Sequence, residues 1–406
     1  MSSEAHLQED TDGVSDPKGF LAAAVSSDVR GKGDDLLDTG IVYSPSPCSA
    51  AGVFTKNAVK AAPVLDCERI LKSGTLIHGV VANSGNANAC TGTQGIQDSL
   101  KMIRLAEAAC GSLEDSFLVC STGRIGDLLP MDRIGPAIAK LGESVVGGIK
   151  FGNKFAECIL TSDTRKKTCT ARFEIDGKQV TIGGAAKGAG MIQPNMATML
   201  AFVTTDIAAS SNELKALLTE AVDPTFNAIT VDGDMSTNDT VLVLANGESG
   251  VALDDKSKAL FQKALYQVCD CLADKIVSDG ERITKVVEIL ISGAANDIDA
   301  ENIARAIGNS LLVKTSWYGN DPNWGRLMDA LGYADAQIDQ YAIDISYGDV
   351  PALVLGDPIP ENKPKWKEVV SQARFPIKID MHQGNGSYRL RASDLTEGYV
   401  DFNKSE

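Results

Sequence analysis

The stretch Gly183-Gly-Ala-Ala-Lys-Gly-Ala-Gly-Met-Ile-Gln-Pro-Asn-Met-Ala-Thr-Met-Leu-Ala-Phe202 joins a glycine-rich run carrying one lysine, Lys187, to a proline and then to an apolar strand. Glycines at 183, 184, 188 and 190 give the backbone freedom just before Asn195-Met-Ala-Thr198. A phosphate loop is excluded, because neither the G-x-x-x-x-G-K spacing nor a Ser or Thr after Lys187 is present. Taken alone, the run reads as a bulged turn between two strands.

Outward from that stretch, the chain is 406 residues long, enough for two lobes or one large layered domain. The formal charge is −16, from 38 basic and 54 acidic side chains, so nucleic acid is excluded as a partner. The one basic cluster, Arg165-Lys166-Lys167, reads as a solvated turn. No apolar run approaches the ~20 residues that span a bilayer, so no membrane partner is expected. Nine cysteines at irregular spacing, without a C-x-x-C pair, read as reduced and mostly buried thiols. Cys269 and Cys271 would point to different helix faces, which is poor geometry for a metal. Residues 1–16 carry five acids and no basic or apolar leader segment, so a disordered acidic tail and a cytoplasmic location are expected.

Patterning places strands near 41–43, 52–55, 79–82, 117–120 and 240–245. In the last hundred residues it places them near 342–346, 352–355, 376–380 and 388–392. Helical periodicity marks 99–110, 149–160, 212–222, 255–277 and 299–312, the third of these opened by a Ser210/Glu213 capping box. Strands and helices interleave without βαβ repetition, and G-x-G-x-x-G is missing. The expected class is therefore α+β, layered sheets with flanking helices, and not a dinucleotide fold. Asp232, Asp234, Ser236, Asn238 and Asp239 mimic a calcium loop, but Thr237 holds the position of the required glycine and a strand follows; a structural turn near the site fits better. Histidine is scarce, at 6, 78 and 382, and no G-x-S-x-G elbow exists, so covalent chemistry would need another base.

Five separated runs sharpen the reading. They are Asn83-Ser-Gly-Asn-Ala-Asn88, Ser121-Thr-Gly-Arg-Ile-Gly126, Lys187-Gly-Ala-Gly-Met-Ile-Gln-Pro-Asn-Met-Ala-Thr198, Thr230-Val-Asp-Gly-Asp-Met-Ser-Thr-Asn-Asp239 and Asp321-Pro-Asn-Trp-Gly-Arg326. In this order, over about residues 17–403, the chain resembles the ornithine acetyltransferases, also called glutamate N-acetyltransferases, of the cyclic arginine pathway. The resemblance implies a DmpA-like, self-processing N-terminal-nucleophile protein cut between Ala197 and Thr198. An α chain, 17–197 beyond the tail, and a β chain, 198–406, would stay associated and pair again as α2β2. Thr198 would be the nucleophile, and its freed α-amine, with a reference pKa of about 7.7–8.0, would take the hydroxyl proton. The implied reaction is ping-pong acetyl transfer from N-acetylornithine to glutamate. Thr122 and Gly123 would form the oxyanion hole, and Thr161, Lys187, Thr198, Glu281 and Asn403 would bind substrate. No metal or organic cofactor is implied, and acetyl-CoA as a co-substrate stays open.

The chain departs from the family pattern at Arg124, where a small or apolar residue is usual, and at Arg282-Ile283, where Gly-Ala is usual. Met235 replaces a threonine, and Lys404-Ser405-Glu406 follows Asn403 where family chains generally run about five residues past the asparagine. Two alternatives use the same residues. One is a self-processing amidohydrolase or aminopeptidase, in which water takes the acyl group. The other is a non-catalytic paralogue.

Overall fold

The computed structural model describes residues 4–193 and 199–404, in two compact units. The first holds 4–188, 199–227 and 234–276; the second holds 189–193, 228–233 and 277–404. Each unit is a mixed sheet with helices, the α+β class expected from the interleaved patterning.

The first unit is built on a nine-stranded sheet. Its order is His6–Glu9, Lys167–Ile175, Lys178–Lys187, Leu200–Thr205, Thr240–Ala245, Thr39–Phe54, Ile77–Asn83 and Phe117–Ser121, with Leu21–Val25 also paired to Thr39–Phe54. Leu200–Thr205 and Thr240–Ala245 run parallel and are buried at every position, the pattern of strands covered on both faces. Helices Gly92–Cys110, Met131–Val146 and Gly152–Cys158 bring Ile103, Ile134, Leu141 and Phe155 into one core with Ile41, Val80 and Val81. The segments expected as separate strands at 41–43 and 52–55 are one long strand. It pairs with Ile77–Asn83 through Thr39–Tyr43 and with Thr240–Ala245 through Ser49–Phe54. Pro45 and Pro47, which have no N–H to give a ladder, lie in the gap between those two pairings.

Two expectations fail in this unit. Residues 4–16 are not a disordered tail: His6–Glu9 is the edge strand, laddered on Cys169–Arg172, and the Lys275 ammonium meets Glu9 at 3.0 Å and Asp10 at 2.7 Å. Two acids of the expected tail are counter-ions to a lysine on the Asp255–Val277 helix. The freedom assigned to Gly183 and Gly184 is unused as well. Both lie in a regular antiparallel ladder, where a Cβ on Gly183 would come within 1.9 Å of the Gly13 carbonyl oxygen. One on Gly184 would come within 2.8 Å of Val268 and Leu272. Backbone packing requires glycine at 183, and at 184 a side chain would have to displace Val268 and Leu272.

The second unit is a seven-stranded sheet ordered Asp357–Pro358, Val350–Val354, Asp344–Tyr347, Arg374–Asp380, Val286–Ala294, Gly386–Ser393 and Ile229–Thr230. Helix Asp297–Asn309 lies along the central strands, and Ile303, Trp317, Phe375 and Leu390 share its core. The single helix expected over 299–312 is two. Ser310, in an extended conformation, ends the first, and its hydroxyl caps Val313 in the next, Leu311–Tyr318.

The expected α/β chain division at 197/198 is not the boundary between the units. Lys178–Lys187, before that bond, pairs with Leu200–Thr205, after it, over six residue pairs within the first unit. Among the described residues, no helix is long and apolar enough to cross a membrane.

The Ser210/Glu213 box is formed as expected: Ser210 Oγ accepts from Glu213 N, and Glu213 accepts from Ser210 N at 2.9 Å. Ser210→Ala is expected to cost about 1 kcal/mol of unfolding free energy, measured as a lower denaturation midpoint with an unchanged slope in urea.

Candidate active site

Lys187 ends its strand with only 3% of its surface exposed. Its Nζ donates to Thr161 Oγ1 at 2.6 Å and to Thr122 Oγ1 at 3.2 Å, so three residues read as site residues from the sequence meet at one ammonium. An ammonium in such a place needs a counter-charge. Asp163, whose side chain is wholly buried, supplies it at 3.7 Å and also pairs with Lys167 at 2.6 Å. Asp163 Oδ1 accepts Gly188 N at 2.6 Å, and Oδ2 accepts Thr161 N at 3.0 Å. Burial alone would raise the Asp163 carboxyl; the charges of Lys187 and Lys167, with the Lys167 and Gly188 hydrogen bonds, override it and hold the group below the ordinary carboxylate range.

Thr122 and Gly123 are fixed from behind by an asparagine network. Thr122 N donates to Asn83 O at 3.0 Å, Ser121 Oγ to Asn83 Oδ1 at 2.7 Å, and Asn83 Nδ2 to Asn86 O at 2.9 Å. Asn238 Nδ2 reaches both Ala87 O at 2.6 Å and Ser121 O at 2.9 Å. Three of the quoted runs are thereby tied into one buried polar scaffold. Gly123 has φ +132°, and a Cβ there would lie 2.4 Å from the Gly85 carbonyl carbon, so this position admits only glycine. The Arg124 guanidinium points outward, 3.9 Å from Asp127, with 68% of the side chain exposed.

Asp239 belongs to the same unit as this buried scaffold. Its Oδ1 accepts Met199 N at 2.9 Å, and Thr240 N donates to Met199 O at 3.1 Å, so the residue that follows Thr198 is held on both sides. Asp239 Oδ2 has no hydrogen-bond partner among the described residues. Burial drives this carboxyl well above its ordinary range, against the opposing pull of the Met199 N–H, Lys187 and Ser236.

The second unit brings Glu281 and Asn403 together. Asn403 Nδ2 donates to Glu281 Oε2 at 3.3 Å, and Glu281 N donates to Ala189 O at 3.0 Å. Gly190 makes room for the carboxylate: a Cβ there would fall 2.3 Å from Glu281 Oε1. Asp232 accepts Met191 N at 2.6 Å, Ile192 N at 2.8 Å and Tyr399 OH at 3.3 Å. The buried Lys314 ammonium donates to the Ser393 carbonyl; burial pushes it down to about 8 despite Asp232 and Asp394. Arg282, with φ +54°, lays its guanidinium over the Phe402 ring at 5.2 Å.

Thr122, Gly123, Thr161 and Lys187 are thus assembled within the first unit, and Glu281 and Asn403 within the second; Ala197 and Thr198, like Ser405, lie outside the described residues. Sequence reading missed Asp163 and Lys167. Lys167 was counted with a solvated turn, yet it is fully buried while Arg165 and Lys166 are exposed. Its place at the start of an alternating strand, four residues after an aspartate, was the available signal. The 232–239 run is a turn, as expected, but a working one, since Asp232, Asn238 and Asp239 each hold backbone of a site segment. His78 is structural, its Nδ1 2.9 Å from Ser44 O, and His382 is exposed beside Asp344 at 2.9 Å. All nine cysteines are free thiols. No group of three or more His, Cys, Asp or Glu among the described residues is placed to hold a metal ion.

The model of the ArgJ family matches residues 21–405. The arginine biosynthesis bifunctional protein ArgJ of Symbiobacterium thermophilum is 45% identical over 396 residues, covering 97% of this chain and 98% of that one. Its namesake from Bacillus subtilis is 41% identical over 406 residues, 99% and 98% of the two chains. Among solved structures, ornithine acetyltransferase complexed with ornithine from Mycobacterium tuberculosis is 36% identical. It covers 47% of this chain and 98% of that chain, with a TM-score of 0.42.

Asp163→Asn would leave two buried ammoniums without their shared anion, and a loss of about 3–5 kcal/mol is expected. Because the folded carboxyl titrates below its ordinary 3.8, its contribution is present above that pH and is lost as pH falls through the folded value. Urea titrations across acid pH should therefore show the wild type losing this increment below about pH 4, and the variant lacking it throughout.

Proposed function

This chain belongs to the ArgJ family, and on that premise we propose that it transfers an acetyl group from N-acetylornithine to glutamate through an acetyl-threonine at Thr198. It is an acyltransferase of arginine biosynthesis. The observation that carries the site assignment is the buried meeting of Lys187, Thr161 and Thr122, from three distant parts of the sequence, around one ammonium.

In this reading, self-cleavage of the Ala197–Thr198 bond frees the Thr198 α-amine. That amine takes the Thr198 hydroxyl proton as the oxygen attacks the acetyl carbonyl. The tetrahedral oxyanion is met by the Thr122 hydroxyl and the Gly123 N–H. Thr122 Oγ1 accepts from Lys187, so its own proton is available to donate. The carbon–nitrogen bond of N-acetylornithine then breaks, the α-ammonium returns the proton to the leaving amine, and ornithine departs. Glutamate repeats the steps in reverse: its neutral amine attacks the ester, and N-acetylglutamate leaves as Thr198 regains its proton.

Lys187 gives a positive wall for the substrate carboxylate, and Glu281 with Asn403 gives an acceptor-rich pair for an amino group. The six-pair ladder between Lys178–Lys187 and Leu200–Thr205 supports the reading that the two chains stay together after the cut. An α2β2 assembly is part of the same reading. So is acetyl-CoA as a second donor to the same threonine.

The test is steady-state transfer from acetyl-labelled N-acetylornithine, with both substrates varied. Parallel double-reciprocal lines, label in N-acetylglutamate and little free acetate are expected. Thr122→Val should lower kcat by about 10²–10³-fold with KM nearly unchanged. Acetate released at the same rate without glutamate would favour the hydrolase instead.

A further inference from the structure

We infer that Arg282 is a positioning residue, a latch that keeps the C-terminal helix on Glu281 so that Asn403 stays against the carboxylate receiving the amino-acid substrate. The inference rests on the proposed role of Glu281 and Asn403 in binding that substrate.

Helix Glu397–Asn403 buries none of its seven residues, so apolar burial does little to hold it. Named polar and ring contacts hold it instead. Thr396 Oγ1 caps the helix by accepting Tyr399 N at 3.1 Å, and the same hydroxyl donates to Arg282 O at 2.7 Å. The Arg282 guanidinium covers the Phe402 ring at 5.2 Å. A Cβ added at Gly398 would lie 3.0 Å from Arg282 Cβ, so the helix backbone rests directly on this residue. Asn403, next to Phe402, reaches Glu281, next to Arg282. Tyr399 OH adds a tie to Asp232.

The backbone of Arg282 points the same way. At φ +54° it occupies the left-handed region that glycine adopts freely and arginine rarely does. Cap, ring contact and close approach together over-determine that conformation. The sequence places this charge beside the proposed site acid Glu281. The structure instead turns the guanidinium onto Phe402, so its effect on substrate passes through the helix.

The test compares Arg282→Gly, Arg282→Lys, Phe402→Leu and the Arg282→Gly/Phe402→Leu double variant with the wild type. Steady-state acetyl transfer and hydrogen exchange at the Tyr399–Asn403 amides are read for each. Glycine suits the backbone at 282, so the melting temperature of Arg282→Gly should not fall. Arg282→Gly and Phe402→Leu should each raise KM for the amino-acid substrate about five- to tenfold, with kcat changed less than about twofold. The double variant should be no worse than either single one, Arg282→Lys should recover most of the loss, and exchange at 399–403 should quicken when the contact is removed. Unchanged KM values, or effects that multiply in the double variant, would overturn the latch. A wild type that transfers no acetyl group would instead sink the proposed function. In that case the exchange still decides: equal rates in the wild type and Arg282→Gly would overturn the latch on their own.

Discussion

The ammonium of Lys187 is held by Asp163, and much of the first unit's candidate site depends on that ion pair. A buried lysine of this kind needs an anion, and Asp163 serves two of them at once, Lys187 at 3.7 Å and Lys167 at 2.6 Å. The same carboxylate takes the amide protons of Thr161 and Gly188. It therefore fixes the loop that carries Thr161 and the exit of the strand that carries Lys187. With the ammonium charged and placed, the hydroxyls of Thr161 and Thr122 have a common donor to orient them.

The run from Thr230 to Asp239 works on both flanks of the segment that contains Ala197 and Thr198. Within the second unit, Val231 N and the Asp232 carboxylate hold Met191 and Ile192 ahead of it. Within the first unit, Asp239 and Thr240 hold Met199 behind it. Ten consecutive residues thus fasten the chain before and after the proposed cleavage bond, and Asn238 in the same run braces Ser121 and Ala87 behind the proposed oxyanion donors. Burial pushes the Asp239 carboxyl beside Met199 above its ordinary range.

Much of this was legible in the sequence, and the rest was hidden for physical reasons. Helix Asp255–Val277 and the Ser210/Glu213 box could be read directly, because a long apolar stripe and a cap are local signals. The break at Ser310 was hidden because periodicity continues across it, and only the cap on Val313 reveals two helices. The edge strand His6–Glu9 was hidden because its stability comes from pairing with residues 160 to 166 positions away, and nothing local separates such a strand from a polar tail. The proposed site residues Thr122, Gly123, Thr161, Lys187, Glu281 and Asn403 are read from motif position alone. Asp163 and Lys167 were missed because a buried ion pair looks like surface charge until the partners are seen facing each other. The glycines at 183 and 184 show the converse error: freedom was inferred where close packing was the reason.

The central claim is that Thr198 becomes an N-terminal nucleophile by cutting its own chain, and intact mass reports on it most directly. The wild type, purified under denaturing conditions beside Thr198→Ala, should give two pieces of 197 and 209 residues, while the variant stays a single 42.8 kDa chain. A wild type that remains whole, or a Thr198→Ala protein that is cut at the same bond, would contradict the account.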